Sequence, residues 1–224
     1  MTSNQYLVTE TMTMKSIIDL LQPMLAASGA LKGGLLGLAG IVLSGVAGCT
    51  TVGTVPAQED RLTTEALKVE HIRITSNRSF DDVKAALESR LKTFEIDRLI
   101  PFVQKGDMVG ARGELERVAS PSGLSILYSL NHGGALAIGA GKPSKAVGYG
   151  IGNVLTATSM TKHNLAAGLY APVRVVLYEG ANGTAVIEYD KPSSMFALFR
   201  DPAIDSAAIR LDVLLKDMLK DVSN

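Results

Sequence analysis

An α+β fold, with one antiparallel sheet covered by helices, is what the sequence predicts, and three observations predict it. The first is Val173 to Asp190, VRVVLYEGANGTAVIEYD, where two runs rich in Val, Ile and Tyr flank Asn182-Gly183. Asn and Gly both tolerate positive φ, so this pair between β-prone runs is a strong hairpin signal. The second is a series of strand-like segments upstream, which with the hairpin makes four consecutive antiparallel strands from Leu124 to Asp190. The third is a pair of segments with apolar residues at steps of three and four, each able to lie across an apolar sheet face.

Taken in order, residues 50–66 are polar, contain Pro56 and show no apolar period, so they read as a linker. The globular domain is expected over residues 67–224. His71-Ile72-Arg73-Ile74-Thr75 alternates and predicts a first strand. Ser79 followed by Phe80-Asp81-Asp82 predicts a helix start, with Ser79 as N-cap and acidic side chains facing the helix dipole. Phe80, Val83, Leu87, Leu91 and Phe94 give it one buried stripe, and Glu88 with Lys92 is spaced to pair on the wet side. Glu95 to Ala119 is broken by Pro101, Gly106, Gly110 and Gly113, which predicts a helix–loop–helix insertion after this first helix.

Pro121-Ser122-Gly123 is turn chemistry, and Leu124 to Leu130 is a strand ending at Asn131-His132-Gly133-Gly134. Gly139 to Lys145 reads as a turn and AVGYGIG, Ala146 to Gly152, as a short, glycine-kinked strand. Asn153 then caps a brief helix reaching His163. In the central hairpin a two-residue loop sets Tyr178 opposite Ile187 and Val176 opposite Tyr189, all on one face; a longer loop exchanges the faces. Pro192 ends the second hairpin strand, because proline cannot donate to a ladder. Asp201-Pro202 opens the last helix with an N-cap and a first-turn proline, and Ile204, Ala208, Leu211, Leu215 and Met218 are its stripe. Asp212 and Lys216 are spaced as an exposed pair.

The first fifty residues carry a different signal. Gly34 to Val46 is thirteen residues without a charge, short for a membrane-spanning helix and suited to a signal-peptide core. Val46-Ala47-Gly48-Cys49 follows at once and resembles a bacterial lipobox, which implies acylation of Cys49 and a lipid-anchored protein at the bacterial cell envelope. Residues 1–49 are therefore set apart from the fold as a signal peptide. Its distance from Met1 makes Met14-Lys15 or Met24 the expected start.

Composition narrows the function classes. Lys plus Arg and Asp plus Glu are 22 each, so no net field favours nucleic acid. One Cys rules out an intramolecular disulfide, a Cys-rich zinc site and a CxxC redox pair. The chain has no GxSxG elbow, HExxH or P-loop; Gly148–Gly152 lacks GxGxxG spacing, and Pro143 would break any phosphate-cradling helix after Gly139-Ala140-Gly141-Lys142.

Asn131-His132-Gly133-Gly134-Ala135, Gly152-Asn153-Val154 with Met160, Ala171-Pro172, Asn182-Gly183 and Tyr189-Asp190-Lys191-Pro192 form a recognisable set of segments. Through them the sequence from His71 to Lys220, most strongly from Leu130 to Pro192, resembles the domain-of-unknown-function 302 family. Asn131 stands where the family usually has an acid beside the His, and Val154 where it has Pro. The resemblance implies a β-α-β4-α arrangement like that of the TATA-binding protein and no established activity, and a fold alone supplies none.

Candidate ligand-binding residues are His132, Asn153, Met160 and Tyr189, expected around one groove between sheet and helices. His132 sits beside two glycines where backbone can approach a ligand, and is the one candidate for acid–base work. Asn153 also reads as a helix cap and Tyr189 as a core ring. His132 with Met160 or His163 lacks metal-ligand spacing, so no metal and no cofactor is expected. The leading expectation is a lipid-anchored protein binding a small or apolar ligand, or a partner, near the membrane. The alternatives are an enzyme using His132 with Tyr189 or Asn153 assisting, and an oligomerising module, a homodimer through its edge strand or the Glu95–Ala119 insertion.

Overall fold

A computed structural model describes residues 62–224, and the expectations for the leader, Cys49 and most of the linker lie outside these residues. The described part is α+β, a five-stranded sheet in the order β1-β5-β4-β3-β2 with every neighbouring pair antiparallel. β1 (His71–Ser79) crosses to pair with β5 (Thr184–Asp190), the last strand; β2 (Ser125–Leu130), β3 (Ala146–Gly152), β4 (Val173–Glu179) and β5 run consecutively.

Two long amphipathic helices cover one face. α1 (Phe80–Arg90) starts where expected, with Ser79 Oγ accepting from the Asp82 amide. It buries Phe80, Val83 and Leu87, and Leu91 beyond its end joins them; Phe94 lies past the helix and is only partly buried. Glu88 pairs with Lys84 instead of Lys92, because Lys92 reaches the Arg117 carbonyl. The expected insertion is a single 3₁₀ turn followed by α2 (Ile100–Gln104) and α3 (Met108–Ala119), and α3 runs through Gly110 and Gly113. Asp107 caps it by accepting from the Gly110 amide at 2.8 Å.

The final helix, α7 (Pro202–Ser223), is the longest element. Asp201 Oδ1 accepts from the Ala203 and Ile204 amides, as the Asp-Pro start predicts. Its stripe divides between two clusters. Leu211, Leu215, Leu219 and Val222 pack on the sheet with α1, while Ile204, Ala207 and Ala208 meet Met160 and Phe196. Asp212 does not pair with Lys216; its Oδ1 accepts from the Ser193 amide and so ties α7 to α6 (Pro192–Phe196).

Two sequence expectations need correction. The hairpin turns through three residues, Ala181 to Gly183, with Gly183 at φ 75° and the Gly180 amide donating to the Thr184 carbonyl. A type I turn followed by a left-handed glycine gives this three-residue loop. Leu177 therefore pairs with Ile187 and Val175 with Tyr189, one residue away from the two-residue register, and every side chain of β4 changes face. Val175, Leu177, Ile187 and Tyr189 join the core, while Val176, Tyr178 and Glu188 face the other way. The second correction is a helix missed between β2 and β3. α4 (His132–Ala140) begins at His132, with Asn131 Oδ1 accepting from the Gly134 amide at 2.7 Å. Two glycines in its first turn hide it, since glycine is among the poorest helix formers. Gly133 is nonetheless required: a Cβ there would lie 2.7 Å from the Ala146 nitrogen and closer still to the Ser144 carbonyl.

Candidate functional site

The four sequence candidates do not share one groove. Asn153 and Met160 belong to α5 (Val154–Thr161), which closes an apolar groove of about 280 Å³ against the ends of β3 and β4 and against Leu211 of α7. Leu127, Ile151, Ala157, Met160, Pro172 and Leu211 line it. Asn153 holds α5 in place: Oδ1 accepts from the Leu155 and Thr156 amides, and Nδ2 donates to the Gly123 carbonyl at 3.0 Å. Its polar atoms are committed to backbone, as the cap reading anticipates. Met160 is buried against Phe196 and contributes apolar surface alone.

His132 lies elsewhere, on the sheet face turned away from α1 and α7. Gly148 and Gly150 of β3 leave that face bare of side chains, and two rings occupy the space. A Cβ at Gly148 would lie 2.6 Å from His132 Nε2, and one at Gly150 would lie 2.6 Å from Tyr128 Cδ1. The alternating glycines of GYGIG thus let two aromatic rings lie on the strand backbone, a close approach that only glycine permits. Tyr189 points the opposite way, into the core, where burial first and Asp212 and Asp217 second push its phenol up. His132 and Tyr189 are on opposite faces of one sheet, and the Asn153 amide is held at the groove. The acid–base arrangement expected of these three is not formed.

The open face instead gathers side chains that sequence reasoning passed over. His71 Nδ1 faces Asp190 Oδ1 at 2.8 Å and its Nε2 faces Glu188 Oε2 at 2.9 Å. Two carboxylates facing the two ring nitrogens favour the protonated imidazole: hydrogen bonding to Asp190, then to Glu188, raises its pKa above 6.5. Glu188 Oε1 accepts from the Tyr178 hydroxyl at 2.6 Å and lies 3.4 Å from Arg73 Nε. These contacts, Tyr178 foremost, hold the Glu188 carboxyl below its usual range. Arg174 pairs in register with Gly150 and lines one depression together with His132 and Tyr128. The signal that could have found this group is the alternation of β1 and β5 combined with the three-residue hairpin loop, which turns His71, Arg73, Arg174, Glu188 and Asp190 to one side.

Among the described residues, no group of three or more His, Cys, Asp or Glu is arranged to hold a metal ion. No helix among them is long and apolar enough to cross a membrane.

No curated protein matches the sequence. The crystal structure of an uncharacterized conserved protein DUF302 from Bacillus stearothermophilus is similar at 20% identity and a TM-score of 0.48, covering 69% of this chain and 98% of that one. The family described as domain of unknown function DUF302 matches residues 103–222, from α2 through nearly all of α7 and including His132, Asn153, Met160 and Tyr189. The match begins after β1 and α1, later than the His71 suggested by the sequence motifs. The chain belongs to the DUF302 family.

Proposed function

We propose that this protein is a lipid-anchored component of the bacterial cell envelope whose domain binds a small apolar ligand in the groove beneath α5. The observation that carries the ligand reading is the groove itself, about 280 Å³, walled by Leu127, Ile151, Ala157, Met160, Pro172 and Leu211. Pockets for drug-sized ligands run from about 300 Å³ upward, so this one suits a single ring or a short acyl chain. With the polar atoms of Asn153 already paired to backbone, the binding term there is apolar burial, about 25 cal/mol per Å² removed from water. The anchor rests on the lipobox-like Val46-Ala47-Gly48-Cys49 and the uncharged run before it. A tether at Cys49 would keep the groove beside a store of apolar molecules, the membrane.

Mass spectrometry of the purified full chain under native conditions tests the groove. A co-purifying apolar molecule, absent from an Ala157→Phe variant that fills the space, is expected. An empty groove, or equal retention by Ala157→Phe, sinks the ligand reading. Metabolic labelling with a clickable fatty acid tests the anchor, with incorporation expected in the parent and lost in Cys49→Ser.

A further inference from the structure

Among the described residues, the open sheet face carries one cation that its neighbours do not neutralise. Across it, His71 is matched by Asp190 and Glu188, and Arg73 and Tyr178 both engage Glu188. With His71 protonated, two cations offset two carboxylates. Arg174 makes no hydrogen bond or ion pair among the described residues. Arg174 lines two depressions, which also share Tyr128 and Asp190. One, of about 390 Å³, runs over the glycine floor toward His132 and Leu130. The other, of about 320 Å³, ends on Leu169, Pro172 and Met195, and Leu169 is 76% exposed.

We propose that this trough binds a small organic monocarboxylate, with Arg174 taking the carboxylate and the apolar body lying against Tyr128 and the Leu169–Met195 wall. The planar guanidinium presents paired donors matched to a carboxylate, and hydrogen bonds to charged groups are the strong ones. One uncompensated positive charge suits a monoanion. A dianion such as phosphate would meet Asp190 and Glu188 with no further cation to offset it. The apolar end of the second depression favours an acid with a ring or short chain over a fully polar one. Gly148 and Gly150 matter because, with no Cβ, they let the His132 and Tyr128 rings approach the strand backbone where side chains would otherwise stand. This site is separate from the α5 groove and stands whether or not that groove holds a ligand.

Benzoate is a suitable probe, and benzamide is its uncharged counterpart. In two-dimensional NMR of the full chain, benzoate should give saturable shifts at the amides of Gly148, Gly150 and Arg174, and benzamide should not. Arg174→Gln, an exposed change whose amide spectrum should otherwise match the parent, should weaken benzoate by about tenfold or more. Arg174→Lys should recover part of the affinity, because charge returns without the paired donors. Ala157→Phe should leave benzoate binding unchanged. Equal response to benzamide, unaltered binding in Arg174→Gln, shifts centred on the α5 groove and abolished by Ala157→Phe, or no saturable shift at all would each overturn the proposal.

Discussion

The two faces of this sheet are made by the same five strands and obey opposite rules. On the covered face, Val147, Tyr149, Ile151, Val175, Leu177 and Ile187 pack against α1 and α7 and are almost wholly out of water. On the open face, the residues between them are Gly148, Gly150, Arg174, Val176 and Glu188, alongside His71 and Arg73. The covered face holds the molecule together by apolar burial. The open face holds charges in a planned pattern at little energetic return, and that is where recognition chemistry has room. One residue of register separates the two, so the three-residue loop at Ala181–Gly183 decides which role each side chain plays.

Truncating neighbouring residues on one strand should separate the two faces most strongly. Leu177 is fully buried and paired with Ile187, whereas Val176 beside it faces outward and is only partly buried. Leu177→Ala should cost about 2–5 kcal/mol, and Val176→Ala well under half of that, read from urea midpoints. Equal losses would mean that the register, and with it the assignment of faces, is wrong.

That register also marks the limit of what the residues disclosed. Strand and helix positions were legible because Ser79, Asn153 and Asp201-Pro202 announce helix starts and the apolar stripes of α1 and α7 have a helical period. The faces of the hairpin were not, since Asn182-Gly183 suits a two-residue turn as well as the end of a three-residue one. α4 was hidden by Gly133-Gly134, and Gly133 reflects tight packing on the Ser144–Ala146 backbone, a long-range fact no local pattern carries. Of the four site candidates, Asn153 and Met160 line the α5 groove, His132 lies on the open face and Tyr189 in the core. His71 and Arg174 are ordinary polar residues of alternating strands until β1 is seen beside β5 and β4 beside β3.

A glycine on the open face should be more sensitive than the charges around it. At Gly150 an added methyl group meets the Tyr128 ring, which is 40% exposed and can swing outward. Gly150→Ala should therefore cost about 1–3 kcal/mol, toward the low end, and displace the Tyr128 ring resonances. Pairing it with Tyr128→Ala should remove most of the penalty. If the double variant is no better than Gly150→Ala alone, the ring does not lie where the trough requires it.

The covered face has its own polar test. Tyr149 buries its ring in the core while its hydroxyl donates to Glu88 Oε1 at 2.9 Å, and burial first, then Glu88, pushes the phenol well above its ordinary value of 10.0. Tyr149→Phe keeps the ring and removes one hydrogen bond, so a loss of about 1 kcal/mol is expected. Ultraviolet titration should show the Tyr149 phenol staying neutral in alkali while exposed tyrosines ionise. An early-titrating Tyr149 would mean the covered face is less closed than its packing implies.

The smallest effect is the one that reports the open face directly. His71 binds its proton more tightly folded than unfolded, through Asp190 first and Glu188 second. Its contribution to stability is therefore fully present below pH 6.5 and is lost as pH rises through the raised folded value. Glu188 runs the other way: its pKa is lowered, so its contribution is present above 4.5 and is lost on acidification through the folded value. The network should be strongest between those limits. With the His71 side chain 56% exposed, solvent screening should keep its share under about 1 kcal/mol. His71→Gln should flatten the alkaline limb of the stability–pH curve and weaken the acid limb only in part, because Tyr178 still holds Glu188 down, and added salt should shrink the difference. An unchanged alkaline limb in His71→Gln would show that His71 is neutral or unpaired in solution. The offset between its charge and the carboxylates of Asp190 and Glu188 would then fail, and the open face would carry a net negative cluster beside Arg174.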